Sequence, residues 1–182
     1  MLFADKLHDI IDTLENDKVL LAPVEFAWAI TFKINEHNLK TLPLEPRSFL
    51  DNILYIMAKD IASVKKLAPN LHPRIETLLH YHRRPLGVKL ELAHLGYEPA
   101  VPVACCLAFD PYIRKVIELL DSPVACIYIT NGNNRLITSH NKIPTEVMKK
   151  ASYVAKHRRN ENLAGVKPIA VTYDDDGNLE FD

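Results

Sequence analysis

Residues 18–34, KVLLAPVEFAWAITFKI, hold two apolar runs that are separated by one short break. The runs 18–23 and 27–34 both lack the 3.6-residue spacing of an amphipathic helix, which predicts two buried strands. The break at 23–26 begins with a proline, and its only charged residue is Glu25. We therefore expect a β-sheet to begin with this pair of strands.

The rest of the chain mixes strands and helices. Short apolar runs predict further strands at 52–58, 85–92, 103–107, 124–130, 169–173 and 179–181. Apolar residues at helical spacing and capping residues predict helices at 3–15, 60–67, 73–82, 111–120 and 145–153. Polar residues and prolines predict a loop at 35–46. Because the two kinds of element do not alternate strictly, the order favours an α/β (α+β) domain with a mixed sheet.

The composition is that of a globular protein. The 182 residues are 48% hydrophobic and 25% charged, and the formal net charge is −1, which excludes disorder and attraction of the whole surface to nucleic acid. No apolar run is long enough to cross a membrane, and the first residues lack a secretion signal, so we expect a cytoplasmic protein without a membrane partner. Three cysteines without a C-x-x-C motif predict buried, reduced thiols and no metal site. Such a chain needs no cofactor to fold.

Two segments could form local basic patches. Residues 80–84, HYHRR, stand at the expected end of a helix, where Arg83 and Arg84 are candidates for contacts with RNA phosphates and the rings for stacking on bases. The alternative is that these cations only interact with the helix dipole. Residues 135–159 carry seven Lys or Arg and one Glu, which suggests a surface for tRNA or another polyanion or a solvated helix face. The RNA-binding candidates in this second segment are Lys149, Lys150, Lys156, Arg158 and Arg159.

Five segments follow a known order of motifs. Residues 22–30, APVEFAWAI, come after a helix and a strand, in the place of Y-P-T-D/E-T-x-Y-G-L. Residues 84–88 correspond to G-P-L-T before a strand, and 103–111, VACCLAFDP, correspond to V-x-V-R-x-P-x-x-P before a helix. Residues 122–126 are similar to G-P-L-V-S, and 165–171 resemble G-x-P-S-T-I-V, with Ile169 and Ala170 in place of its Ser-Thr. By these motifs the chain resembles the YrdC/YciO family, the threonylcarbamoyl-adenylate synthases that act in tRNA modification.

The resemblance covers residues 3–181 and implies a single YrdC-like domain, with a twisted mixed sheet, flanking helices and a concave groove. The reaction that it implies joins L-threonine, bicarbonate and ATP into threonylcarbamoyl-AMP and releases pyrophosphate, with Mg²⁺ accompanying ATP. It also implies a nucleotide or RNA (tRNA or double-stranded RNA) as partner, and leaves a protein partner open. The remnant nucleotide or substrate ligands that it implies are Glu25, Trp28, Lys40, Arg47, Thr130 and Asn131. For Trp28 a place in the core, and for Asn131 a polar turn, are the alternatives.

Several polar ligand positions of the family are changed in this sequence. Of the phosphate-binding K-x-R-x-x-x-K motif, Lys40 persists, whereas Arg47 is displaced by register. The replaced positions are Leu42, Cys106, Tyr128 and Thr130. Each lost charged hydrogen bond is worth about 1.5–3 kcal/mol, so several losses weaken ATP binding by powers of ten. The sequence therefore favours a catalytically impaired homologue that binds RNA or a nucleotide, and the alternative is an active synthase.

Overall fold

The computed structural model describes residues 4–41, 47–174 and 176–182. The helices are α1 (Leu7–Glu15), α2 (Glu36–Thr41), α3 (Ile61–Leu67), α4 (Pro73–Tyr81), α5 (Pro111–Leu120) and α6 (Thr145–Met148). The strands are β1 (Leu20–Val24), β2 (Ala27–Lys33), β3 (Leu54–Ala58), β4 (Leu86–Leu90), β5 (Val103–Leu107), β6 (Val124–Tyr128), β7 (Tyr153–Val154), β8 (Ile169–Tyr173) and β9 (Leu179–Phe181). None of the helices in these ranges has the length and apolar character that a membrane crossing requires.

One mixed sheet contains all nine strands of the described ranges, in the order β7-β1-β2-β6-β3-β5-β4-β8-β9. The pairs β1–β7, β3–β5 and β4–β8 are parallel, and the other neighbours are antiparallel. Helices α1 and α5 pack on one face of the sheet, and α3 and α4 pack on the other. This three-layer arrangement confirms the expected mixed sheet flanked by helices.

The β1–β2 hairpin lies in the middle of the core. Its strands pair antiparallel, with Val24 opposite Ala27, so that Glu25 and Phe26 form the turn. Nearly every residue of both strands is buried, because helices cover both faces of the sheet, and the strands therefore read as continuous apolar runs. Glu25 has a φ of +54°, a left-handed conformation that a non-glycine residue adopts only where contacts hold it.

Local capping signals place two helix starts as predicted. Asp60 Oδ1 accepts a hydrogen bond from the Ser63 N–H at 2.7 Å in front of α3. Asp110 Oδ1 accepts one from the Tyr112 N–H at 2.8 Å in front of α5. Both carboxylates satisfy backbone donors that a helix leaves free at its first turn.

The prediction of a loop at 35–46 is wrong for residues 36–41, which form α2. Asn35 Oδ1 accepts from the Asn38 N–H at 2.7 Å, which caps the helix. Lys40 Nζ lies 2.7 Å from Glu36 Oε1, and Leu39 is buried in the core. These short-range contacts outweigh the polar composition, and residues 42–46 lie outside the described ranges.

The predicted helix at 145–153 is too long, because α6 ends at Met148 and the chain continues into β7. The edge of β1 supplies the reason: Leu21 O accepts a hydrogen bond from the Ala155 N–H at 2.8 Å, and Val19 O accepts one from the Ser152 N–H at 2.8 Å. On the other side, the buried Asp5 carboxylate accepts bonds from the Tyr153 hydroxyl and from two backbone N–H groups of 156–157. An extended chain satisfies both partners at once.

All three cysteines are buried and free, as expected from their spacing. Cys105 and Cys106 are adjacent in β5, so their side chains point to opposite faces of the sheet. Burial raises the pKa of the Cys105 thiol to about 12. The thiols are therefore protonated at neutral pH and act as small apolar side chains.

Gly87 lies where strands β4 and β5 pack closely against each other. A Cβ added at this position would lie 3.1 Å from Ala104 Cβ and 3.4 Å from Cys106 Sγ on the neighbouring strand. We therefore expect Gly87→Val to lower the free energy of unfolding by about 1–3 kcal/mol in urea titrations, through overpacking. Lys89→Val is the matched control, because that side chain of the same strand is exposed. Equal losses in the two variants would contradict the close strand contact.

Candidate functional site

The Glu25 carboxylate is bound by the protein's own backbone. Glu25 Oε1 accepts a hydrogen bond from the Phe109 N–H at 2.8 Å, and both of its oxygens lie 3.2 Å from the Asp110 N. Burial raises the pKa of Glu25 above its usual value, and the N–H groups of Asp110 and Phe109 offset this effect only in part. The side chain thus ties the β1–β2 turn to the loop that precedes α5.

Asp110 is the centre of a buried ionic cluster. Besides capping α5, its Oδ2 accepts a hydrogen bond from Arg158 Nη1 at 2.9 Å, and its Oδ1 lies 3.3 Å from His157 Nε2. The side chain is only 5% exposed. Burial opposes its ionisation, but hydrogen bonds from His157, the Tyr112 N–H and Arg158 outweigh that effect, so the pKa of Asp110 lies below its usual value. The carboxylate is therefore charged at neutral pH.

Arg158 connects this cluster to the turn. Its Nη1 also donates to the Glu25 carbonyl oxygen at 2.7 Å, and its Nε donates to Glu161 Oε2 at 2.8 Å. The side chain is 24% exposed, and φ is +50°. Of the residues predicted to bind RNA, Arg158 is thus the one that is engaged inside the fold.

Trp28 lies in the core of β2 and is fully buried. Its ring meets His140 edge-on, with 5.3 Å between the ring centroids. Burial and the charge of Arg159 lower the pKa of His140 below its usual value. Next to His140 a polar cleft of about 340 Å³ opens to solvent. Its lining consists of Ser139, His140, Asn141, Arg159, Asn160, Glu161 and Asn162.

The two predicted ligands after β6 are part of the local chain structure. Thr130 is 2% exposed, and its N–H donates to Phe49 O at 2.7 Å. Asn131 Oδ1 accepts hydrogen bonds from the N–H groups of Asn133, at 3.0 Å, and Arg135, at 3.3 Å. The Asn131 amide oxygen therefore closes a polar turn in which Gly132 has a φ of +81°, a conformation suited to glycine.

Lys40 and Arg47 lie at the surface. Lys40 is on α2 and forms its ion pair with Glu36. Arg47 is exposed in a 3₁₀ turn that begins at this residue. Among the described residues, neither side chain forms a hydrogen bond or an ion pair with Glu25, Trp28, Thr130 or Asn131.

The described groups at these positions do not fit a triphosphate. Phosphate oxygens bind best to several convergent Arg, Lys or free backbone donors. Cys106, at the position where the resemblance implies an arginine, is buried and apolar in character, and Lys40 is in an exposed ion pair with Glu36. The Glu25 carboxylate, which could hold a cation, is occupied by N–H groups.

The remaining basic candidates are free of such internal contacts. Lys149, Lys150, Lys156 and Arg159 are exposed, and so are Arg83 and Arg84. Within the ranges that the structure covers, none of these six side chains takes part in an ion pair. Their charges are therefore available to an anionic partner.

Sequence reasoning did not identify Asp110 and Asp51 as parts of ionic contacts. Asp51 is a buried carboxylate whose Oδ1 lies 2.7 Å from Lys167 Nζ. The partners are 116 residues apart, and Arg158 is 48 residues from Asp110. The sequence signal that both acidic residues share is their place directly before a predicted strand or helix.

Because Asp110 belongs to an ionic cluster, its replacement should destabilise the protein more than the loss of a helix cap alone. Asp110→Ala removes the cap and leaves Arg158 without its buried partner, so we expect a loss of about 3 kcal/mol in urea unfolding at pH 7. Asp60→Ala is the matched control: it removes an exposed cap and should cost about 1 kcal/mol. Similar losses in both variants would show that the cluster adds nothing.

The same cluster predicts a dependence on pH. Because the pKa of Asp110 is lowered from 3.8 by folding, its contribution is present above that pH and is lost as the pH falls through the folded value. The difference in unfolding free energy between the wild type and Asp110→Ala should therefore shrink in acid. A difference that stays constant from pH 7 to pH 3 would argue against a charged Asp110.

The chain is similar to known proteins in its fold. No model of a protein family matches the sequence, and no curated protein sequence matches it. Solved structures do match the fold. E. coli YciO superposes with a TM-score of 0.68 at 12% identity, covering 93% of this chain and 84% of YciO. P. abyssi Sua5 complexed with L-threonine gives a TM-score of 0.63 at 17% identity and 91% coverage of this chain. T. kodakarensis HypF gives 0.69 at 16% identity and 97% coverage.

The lengths of these proteins differ from that of the chain. It spans about half of P. abyssi Sua5, namely 50% of its residues, and 24% of HypF. The similarity in fold extends over nearly the whole chain, although only 12–17% of the residues are identical. The matches, together with the mixed nine-stranded sheet of the described residues, show that the chain has the YrdC-like fold of the Sua5, YciO and HypF proteins.

Proposed function

We propose that this chain is an RNA-binding YrdC-like domain related to tRNA threonylcarbamoyladenosine biosynthesis, and that it does not itself make threonylcarbamoyl-AMP. The observation that supports this proposal most is a contrast between two sets of polar groups. Those at the implied ligand positions are bonded within the chain, as for Glu25 and Asn131, whereas Lys149, Lys150, Lys156 and Arg159 are exposed.

The contrast has a physical consequence for each ligand. ATP would have to displace hydrogen bonds that hold the fold, and the described residues at the implied ligand positions offer no cluster of cations to offset that loss. RNA needs no pocket, because exposed Lys and Arg bind phosphates and release condensed counterions. A formal net charge of −1 does not prevent this binding, since a local patch determines the field near the surface.

RNA binding is tested by fluorescence anisotropy with a labelled tRNA transcript. The salt concentration is varied from about 50 to 200 mM, because counterion release makes the affinity fall steeply over this range. We expect a Lys149→Gln/Lys150→Gln variant to bind more weakly and to lower the log–log salt slope by about 1.4–1.8, or 0.7–0.9 for each lost contact. The matched control is Lys65→Gln/Lys115→Gln, which removes two exposed lysines that are paired with glutamates. A wild-type protein that does not bind at low salt, or equal losses in both double variants, would overturn the RNA assignment.

The absence of synthase activity is tested separately. With ATP, Mg²⁺, L-threonine and bicarbonate, we expect pyrophosphate release no faster than in a blank without protein. Lys40→Ala/Arg47→Ala should then change nothing, because neither side chain meets the other implied ligands. Release by the wild type that this double variant abolishes would establish the synthase instead.

A further inference from the structure

The end of α4 carries an unusual combination of charge and aromatic surface. From residue 77 to residue 90 the sequence has no acidic residue, and it contains Arg83, Arg84 and two histidines within 80–84. Both arginines are exposed. This segment therefore presents positive charge without an acidic neighbour along the chain.

Tyr81 is the last residue of α4 and is 82% exposed, which is more than any other large hydrophobic residue described. Phe109, in the loop before α5, is 43% exposed. Between the two elements lies a shallow depression on the surface. Its lining consists of Leu79, His82, Arg84, Leu86, Leu107 and Phe109.

The fold explains why these groups are held in place but does not require their exposure. His82 caps α4 with its backbone N–H on Leu78 O, at 2.8 Å. Its Nδ1 accepts a hydrogen bond from the Arg84 N–H at 3.1 Å, which fixes the turn. Phe109 contributes its N–H to Glu25, while its ring stays at the surface. A helix dipole accounts for cations at this end, but it gives no reason for two exposed rings.

We propose that this surface binds unpaired bases of single-stranded RNA, which stack on Tyr81 and Phe109 while Arg83 and Arg84 contact the flanking phosphates. The inference rests on the proposed RNA-binding function and specifies the class of RNA. Aromatic rings beside cations are the combination by which proteins hold single strands, since every base offers a π-face. A duplex hides those faces between its base pairs, so stacking of this kind selects unpaired nucleotides.

The experiment compares a labelled 12-nucleotide oligo-U with a blunt-ended RNA duplex of 12 base pairs, using the full chain and fluorescence anisotropy. We expect Tyr81→Ala and Phe109→Ala each to weaken oligo-U binding by about 5- to 150-fold, the range of one lost stacked base. Binding of the duplex should change less than twofold. Arg83→Gln should lower the salt slope for oligo-U by about 0.7.

Tyr173→Ala and Phe181→Ala are the matched controls, because these rings are also exposed, at 42% and 55%, but lie at the β8–β9 edge. They should leave oligo-U binding unchanged. The high exposure of Tyr81 means that its replacement should not unfold the chain, and circular dichroism checks this. If Tyr81→Ala binds oligo-U as tightly as the wild type, or if the control variants lose as much affinity, the proposed stacking surface is wrong.

The outcomes separate this inference from the proposed function. If Tyr81→Ala keeps its affinity for oligo-U while Lys149→Gln/Lys150→Gln loses tRNA, RNA binding stands and the stacking surface is wrong. If the wild type binds neither RNA at low salt, both proposals fail.

Discussion

The buried contact between Arg158 and Asp110 holds together parts of the chain that are distant in sequence. The same guanidinium nitrogen reaches the carbonyl of Glu25, so one side chain joins the β1–β2 turn, the start of α5 and the segment after β7. A buried ion pair adds stability only when further hydrogen bonds satisfy its atoms, and here the Tyr112 N–H supplies such a bond to Asp110. Breaking the pair would leave a buried charge, which makes the whole arrangement cooperative.

This arrangement also limits what the site can do. Glu25 lies in the turn between two buried strands, where the resemblance implies a substrate-binding carboxylate. Its oxygens, however, are bonded to backbone N–H groups. Asn131 uses its amide oxygen in a turn, and Trp28 fills the core. The YrdC-like framework is thus retained by apolar packing, while the polar groups stabilise the fold. At the predicted RNA-binding positions, the charges without an ion pair belong to exposed lysines and arginines.

The parts of the fold that depend on local chemistry could be predicted from the sequence. Strand β1 is apolar over its whole length, and β2 is apolar except at Thr31 and Lys33. Asp60 and Asp110 stand directly before their helices, so neighbours in sequence carry the information for these elements. The strand β7 could not be predicted, because only two residues pair, and what aligns them is the edge of β1 and the distant Asp5. The helix α2 depends on a side-chain cap at Asn35 within a polar segment. For the site, the sequence singles out Glu25 as an implied ligand, but its partners Phe109 and Asp110 lie 84 and 85 residues away.

We propose that contacts within the chain occupy the positions at which the family resemblance implies nucleotide-binding groups. Thermal unfolding with and without Mg²⁺–ATP, and then with L-threonine and bicarbonate added, tests it most directly. A ligand present at 100 times its dissociation constant stabilises the folded state by about 2.7 kcal/mol, which for a chain of this size raises Tm by about 5–10 °C. We predict no shift at millimolar ATP, with or without threonine. A rise of several degrees with ATP that threonine enlarges would contradict the account, because it would require a pocket that binds both substrates.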